Sequence, residues 1–404
     1  MGFFSFGKTF GLMKDRIVMV VTASQLMRVM GRSMVWVFAP IYFHRFYGTS
    51  FFTIGLLFSL GTFISFPFSI YGGNLIDRAG RRFVGLLLPP ISAALFLVFS
   101  LSAFLKFPNI YAFIAFLAIF PLADLEGIVD QVIITDVVKE SERLDAFSLN
   151  RIGANVGFAI GPALAGILAE FNYGWAFIVP FFVSVFVFMV YARYIRETRP
   201  TGTGTRSTSR GFSFPKNDRK FFIIVILLSM IWFIAGQWGT TLTLFLSSGY
   251  LISDQTIGFL YAFNGIIVIF FQIPVNNLLR KWHDFKRLAL GSFIYSFAFF
   301  FYSLTSYVPL LFANTFFLTI GENVLTPSTQ TVIANAAPED KRGEYFGSYY
   351  AISGLIVPMA PLLGTYGLGF LIHAGIIFWG IIGLSGVIIG SISYLTLRSL
   401  YGNQ

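Results

Sequence analysis

Of the 404 residues, 56% are hydrophobic, 19% aromatic and 11% charged, where a soluble domain carries about 25% charged residues. The formal net charge is +10 and the mean hydropathy +0.76. These values exclude a soluble enzyme, a nucleic-acid-binding domain and a disordered chain, and leave a protein whose solvent is mostly lipid.

A bilayer-crossing helix needs roughly 20 apolar residues, and the chain divides into twelve such runs. In order they are 17–43, 51–73, 83–105, 109–136, 146–170, 174–195, 220–245, 254–278, 287–306, 307–335, 344–370 and 374–397. None alternates apolar and polar residues as a barrel strand does. The expected class is therefore an all-α membrane protein with twelve transmembrane helices. The first run is too long for a cleaved signal peptide and contains two Arg, so it stays as the first span.

That span carries Arg28 and Arg32, one turn apart on one helical face, with Gln25 and Trp36 nearby. The turn after the second span reads Gly73-Asn-Leu-Ile-Asp77-Arg78-Ala-Gly80-Arg81-Arg82. Gly80 suits a tight reversal there. The fourth span carries Asp124, Glu126 and Asp130. Glu126 and Asp130 share a face with Ala123, and Asp124 lies on another. The fifth span has Gly153, Gly157 and Gly161 at four-residue spacing, followed by Pro162 and Gly166. Small residues on one face let helices pack closely in lipid. Between spans six and seven, 196–219 is a polar linker whose 201–211 core is rich in Gly, Ser and Thr. It separates a first part, 1–195, from a second, 220–404. The second part carries Trp232, Gln237 and Trp238 in span 7, and Glu322 and Asn323 in span 10. Asp136, Arg143 and Pro162 precede Asn335, Arg342 and Pro361 by 199 residues each, as expected of two related halves.

Placing both termini in the cytoplasm puts 24 of the 28 Lys and Arg on that side. Only Arg45 and Lys106 fall outside, and Arg28 and Arg32 lie within the membrane. This distribution sets the orientation and accounts for the basic charge without nucleic acid as a partner. There is no Cys, and His44, His283 and His373 have no metal-ligand spacing. No metal or cofactor is expected. Gly2-Phe-Phe-Ser-Phe-Gly7-Lys8-Thr9 matches a phosphate-binding loop, but it lacks the preceding strand that such a loop needs. With no H-E-x-x-H and no G-x-S-x-G, the chain is not expected to be an enzyme.

The loop after span 2 resembles the G-x-x-x-D-R-x-G-R-R motif of the major facilitator superfamily. Gly157-Phe-Ala-Ile-Gly161-Pro162-Ala-Leu-Ala-Gly166 resembles the fifth-helix G-x-x-x-G-P motif of its twelve-helix drug–proton antiporters, and Arg196-Glu197-Thr198 a frequent ending of its sixth helix. The resemblance covers the whole chain. It implies two six-helix bundles around a cavity lined by spans 1, 4, 7 and 10, working by alternating access. It also implies that Asp77 and Arg81 help lock the cytoplasmic side. The chain departs from the antiporters in span 4. Aligned on Gly127, their R-x-x-Q-G pattern meets Ala123 and Glu126 here, and the Arg residues stand in span 1 instead.

Intramembrane charges cost about 3 kcal/mol each when unpaired, so Arg28, Arg32, Asp124, Glu126 and Asp130 must face protein or water. Counting from the helix ends sets Arg28 at the depth of Glu126, its expected ion-pair partner. With Glu322, the membrane acids exceed the Arg residues by two, so a carboxyl should hold a proton. Glu322, Asp130 and Glu126 are the expected proton carriers, Glu322 first. Arg28, Arg32, Trp36, Gln237, Trp238 and Asn323 are the expected substrate cavity. The function expected is proton-coupled export of lipophilic small molecules, cationic ones among them, by a monomer in the plasma membrane. The alternative is transport of organic anions or metabolites, with Arg28 and Arg32 clamping the anion.

Overall fold

The computed structural model describes residues 15–198, 215 and 218–401. The Gly2–Thr9 motif and the 201–211 linker core lie outside the described residues. Among the described residues the chain is helical and forms no strand. The helices are α1 (Arg16–Tyr47), α2 (Phe51–Ala79), α3 (Arg81–Leu105), α4 (Asn109–Val137), α5 (Arg143–Phe171) and α6 (Tyr173–Tyr194). Then follow α7 (Arg219–Ala235 and its continuation to Gly249), α8 (Asp254–Leu278), α9 (Asp284–Tyr302) and α10 (Val308–Ala336). The series ends with α11 (Arg342–Ile356 and Met359–Leu371) and α12 (Gly375–Tyr401).

Nine continuous segments among the described residues are long and apolar enough to cross a bilayer. One of them, Arg342–Leu400, contains both α11 and α12. The two shorter on hydropathy are α1, which holds the buried Arg28, and α9. The twelve expected spans thus correspond to twelve helices in the expected order.

Several helices start at a side-chain cap. Asp15 caps α1 by accepting from the Ile17 and Val18 amides, and Gly48 ends it in the left-handed region. Asp218 caps α7 through the Phe221 amide. Two helices break inside their spans. In α7, a 3₁₀ turn at Gly236–Trp238 is followed by one helical turn and then a π turn at Phe245–Gly249. In α11 the break falls at Pro358, which has no N–H to continue the ladder. Gln237 joins the two breaks. Its amide donates to the Ala360 carbonyl at 3.1 Å and its oxygen accepts from Thr241 at 2.8 Å.

The relation at 199 residues extends to the elements. Helix α4, the 3₁₀ turn Glu140–Glu142 and the start of α5 recur at that offset as α10, Glu339–Lys341 and the start of α11.

The chain forms two compact units that are not consecutive in sequence. Unit 1 holds 1–49, 60–202 and 253–266; unit 2 holds 50–59, 203–252 and 267–404. Unit 1 has a core of Val, Ile and Leu from α1, α3, α4 and α6, with an aromatic cluster of Tyr42, Phe43, Phe99, Phe116 and Phe177 at one end. In unit 2, Trp379 stacks on Phe299 and meets Phe245 edge-on.

Candidate functional site

The i, i+4 pairs on α1 and α4 face each other inside unit 1. Arg28 Nη2 lies 3.1 Å from Asp130 Oδ1, and Arg32 Nη1 donates to the Ala123 carbonyl at 2.9 Å. The pairings 28 with 130 and 32 with 123 show that the helices run antiparallel. The structure therefore corrects the expected Arg28–Glu126 pair. Helical side chains lean toward their own N-terminus. The Arg28 guanidinium accordingly reaches about one turn below its Cα, to the level of Asp130.

Glu126 instead accepts from the Ser92 hydroxyl of α3 at 2.9 Å. Tyr191 of α6 donates to Asp130 Oδ1, and the Arg28 guanidinium lies 5.0 Å above the Tyr191 ring. Arg28, Glu126, Asp130 and Tyr191 are all buried. Asp130 Oδ2 and Arg28 Nε are buried without a hydrogen-bond partner. Asp124, on the other face of α4, is exposed. Two cations and two carboxylates therefore share one small volume.

Beside this cluster lies a cavity of about 240 Å³ lined by Arg32, Trp36, Phe120, Ala123 and Phe158, among others. Trp36 packs against Phe158 and Tyr261. Apart from Ser33 the cavity walls are aromatic and aliphatic, with Arg32 as the one charged residue lining it among the described residues.

The structure brings Arg28, Arg32, Trp36, Glu126 and Asp130 together in unit 1. The other expected cavity and proton-carrier residues, Gln237, Trp238, Glu322 and Asn323, belong to unit 2. Gln237 is fully buried with its amide engaged as above. Trp238 is half-buried, beside the α7 break. Asn323 is buried with its Nδ2 unpartnered. Glu322 is half-buried, in electrostatic reach of Tyr295. Sequence reasoning missed Ser92 and Tyr191. A Ser and a Tyr on apolar spans carry no charge signal, and only the packing of α3 and α6 against α4 reveals them.

The loop motif after α2 is an interlocked end of unit 1. Arg81 reaches Asp77 at 2.9 Å and Asp136 at 3.0 Å. The Glu197 carboxylate accepts from the Arg81 and Arg82 amides at 3.1 and 3.3 Å, capping α3. Thr198 donates to Asp136 at 3.0 Å. Gly80 sits at φ 97°, and a Cβ there would stand 2.5 Å from Glu197 Oε2. The Glu197-Thr198 ending of the sixth span thus closes onto the loop of the second. Asp77 is 63% exposed and pairs with Arg81. Gly73 has open space around it, and Arg78 and Arg82 are exposed.

Helix α5 presents small residues on two faces. A Cβ on Gly153, Gly157 or Gly161 would strike α1 at Thr22, Leu26 and Met30. On the other face, Gly166 abuts the Asp254 carbonyl, and Gly258 abuts that of Pro162. Here the start of α8 belongs to unit 1. At its tip Arg45 pairs with Asp254 at 2.7 Å, and Tyr173 donates to the same carboxylate at 2.5 Å. Among the described residues no group of His, Cys, Asp and Glu is arranged to hold a metal.

The family model described as Major Facilitator Superfamily matches residues 21–310. The uncharacterized MFS-type transporter YttB of Bacillus subtilis is 27% identical, covering 82% of this chain and 83% of its own. A Na(+), Li(+), K(+)/H(+) antiporter of Planococcus maritimus is 24% identical over 83% and 87%. The class B tetracycline resistance protein of Escherichia coli is 25% identical over 87% and 86%. Among solved structures, a bacterial homolog of the human lysosomal transporter Spinster, in an inward-facing and occupied conformation, has a TM-score of 0.75. It is 16% identical and covers 96% of this chain and 97% of its own, a likeness of fold. With twelve helices in order and both sequence motifs built into unit 1, the chain is a multi-pass membrane transporter, not an enzyme, and belongs to the Major Facilitator Superfamily.

Proposed function

We propose that this transporter exports lipophilic small molecules, cationic ones among them, in exchange for protons by alternating access. The observation that carries the reading is the aromatic cavity set against two Arg and two carboxylates buried side by side. A cluster balanced at two positive and two negative charges is poised. Protonating Glu126 leaves it net positive, and a cationic substrate then loses its counter-charge. Deprotonation restores that charge. Glu126 is held by one hydroxyl, whereas Asp130 is engaged by Arg28 and Tyr191. Glu126 and Glu322 are therefore the leading proton carriers, and Asp130 is the anchor. Two relatives named for antiport and for drug resistance support the same reading.

The positive-inside distribution supports placing both termini and the 196–219 linker in the cytoplasm of a plasma-membrane protein. The repeat at 199 residues supports two six-helix bundles, 1–195 and 220–404. We take the working unit to be the monomer, with no nucleic-acid partner.

The alternative, transport of organic anions or metabolites, is favoured by one observation. Arg32 lines the cavity and hydrogen-bonds to backbone carbonyls, of Ala123 and Arg28. Arg28, already ion-paired with Asp130, is the weaker half of the anion clamp.

Flux in proteoliposomes, with a panel of lipophilic cations, neutral compounds and organic anions, tests both. Concentrative cation flux driven by an imposed pH gradient supports export by antiport. Flux of anions alone supports the alternative and sinks the first reading.

A further inference from the structure

On the outer faces of α9 and α12, within unit 2, lies a groove of about 430 Å³. Its shape follows from the sequence. Gly383, Gly386 and Gly390 of α12 let that helix close onto Ser292 and Ser296 of α9. Ser292 donates to the Gly386 carbonyl at 3.0 Å across the seam. After Gly390 the small residues stop. Tyr394 instead meets Phe285 edge-on, with ring centroids 5.6 Å apart. The groove opens where the glycine seam ends and larger side chains take its place. Its floor is Ala289, Leu290, Phe293 and Leu395.

The mouth is different in character. Trp282, 46% exposed, and the exposed Lys286 stand on one side. Because the helices are antiparallel, the last turn of α12 runs beside the first turn of α9. It carries the exposed Arg398, one turn beyond Tyr394 and Leu395. The acid at this end, Asp284, accepts from Asn335 and pairs with Arg287 at 3.7 Å. Lys286 and Arg398 thus leave the mouth positively charged. An apolar slot on a membrane protein's outer surface, opening under two cations and an indole, has the layout of a lipid site.

From this we infer that the α9–α12 groove binds an anionic glycerophospholipid. The acyl chain lies on Leu290, Phe293 and Leu395, and the phosphate sits between Lys286 and Arg398. Charge complementarity selects this occupant over a zwitterionic lipid, with roughly fivefold preference for each cation near the headgroup.

Tryptophan quenching by brominated lipids in bilayers containing the full-length protein tests it. The signal of Trp282 is the difference between the parent and Trp282→Phe. That difference should be quenched more by dibrominated phosphatidylglycerol than by dibrominated phosphatidylcholine at equal mole fraction. Lys286→Gln with Arg398→Gln should erase the excess, and Lys286→Gln alone should lower the apparent preference about fivefold. Equal quenching by the two lipids makes the groove a non-selective lipid contact and overturns the inference. So does an excess that survives both neutralised cations. Quenching by neither lipid means that another occupant fills the groove, and equally overturns it.

Discussion

Arg28 and Tyr191 converge on one oxygen of Asp130, from α1 and α6 onto α4. Three helices are tied through a single carboxylate in the middle of the apolar core of unit 1. Removing one partner of a buried ion pair typically costs about 3–5 kcal/mol, because the other charge is left unpaired. Asp130→Asn should therefore lower the thermal unfolding midpoint in detergent sharply. Tyr191→Phe should lower it less, by the loss of one hydrogen bond to a charged group, about 1.5–3 kcal/mol. A midpoint unchanged in Asp130→Asn would remove the anchoring role.

Glu126→Gln should behave differently. Arg28 keeps its partner, so the variant should fold and insert as the parent does. Uphill, pH-driven transport should be lost while downhill exchange of substrate persists. Ser92→Ala, which deletes the Glu126 hydrogen bond, should shift the pH profile of transport without abolishing it. Glu322→Gln is the parallel test in unit 2. If both glutamine variants concentrate substrate as well as the parent, proton coupling through these carboxyls is refuted.

The α3 cap gives a third prediction. Glu197→Ala removes an acceptor shared by two helix-start amides and should cost about 1 kcal/mol. Gly80→Ala should cost more, since φ 97° is strained for any side chain and Glu197 occupies the space. Asp77→Asn should leave stability within about 1 kcal/mol, because Asp77 is 63% exposed and the buried Arg81 keeps Asp136 as its ion partner, yet slow transport. Unchanged transport in Asp77→Asn, checked by substrate efflux and cysteine accessibility near residue 77, would reduce the loop to a topology signal.

A fourth concerns orientation. Epitope tags at either terminus or in 201–211 should be unreachable from outside intact cells and reachable after permeabilisation. External labelling of 201–211 would contradict the cytoplasmic placement of the linker.

The twelve helices were legible because membrane crossing demands long apolar runs, a signal that survives any packing. The 28/32 and 126/130 faces were legible too, since helical periodicity fixes them. The partner of Arg28 was not. Depth counted along Cα atoms ignores the several ångströms over which a long side chain leans, and that lean shifted the pair from Glu126 to Asp130. Gln237 shows a second limit. As a polar residue on an apolar span it resembles cavity lining, but the break it sits in, and the Ala360 carbonyl of α11 that it reaches, are tertiary features. The Glu197-Thr198 ending was recognised as a pattern, and its purpose became readable only once α3 was seen to start against it.

The 199-residue correspondence carries a chemical asymmetry. It reaches back to the first cytoplasmic turn, where Asp77 and Arg81 correspond to Asn276 and Arg280. Asp136 corresponds to Asn335. At both acids around Arg81, the corresponding position of the second half holds the isosteric amide. The second half has the base without those two acids, and Asn276 donates to its own helix at the Gln272 carbonyl. Ionic strength should therefore act unequally on the two copies. Salt screens the Arg81 cluster of the first, while the amides of the second respond little.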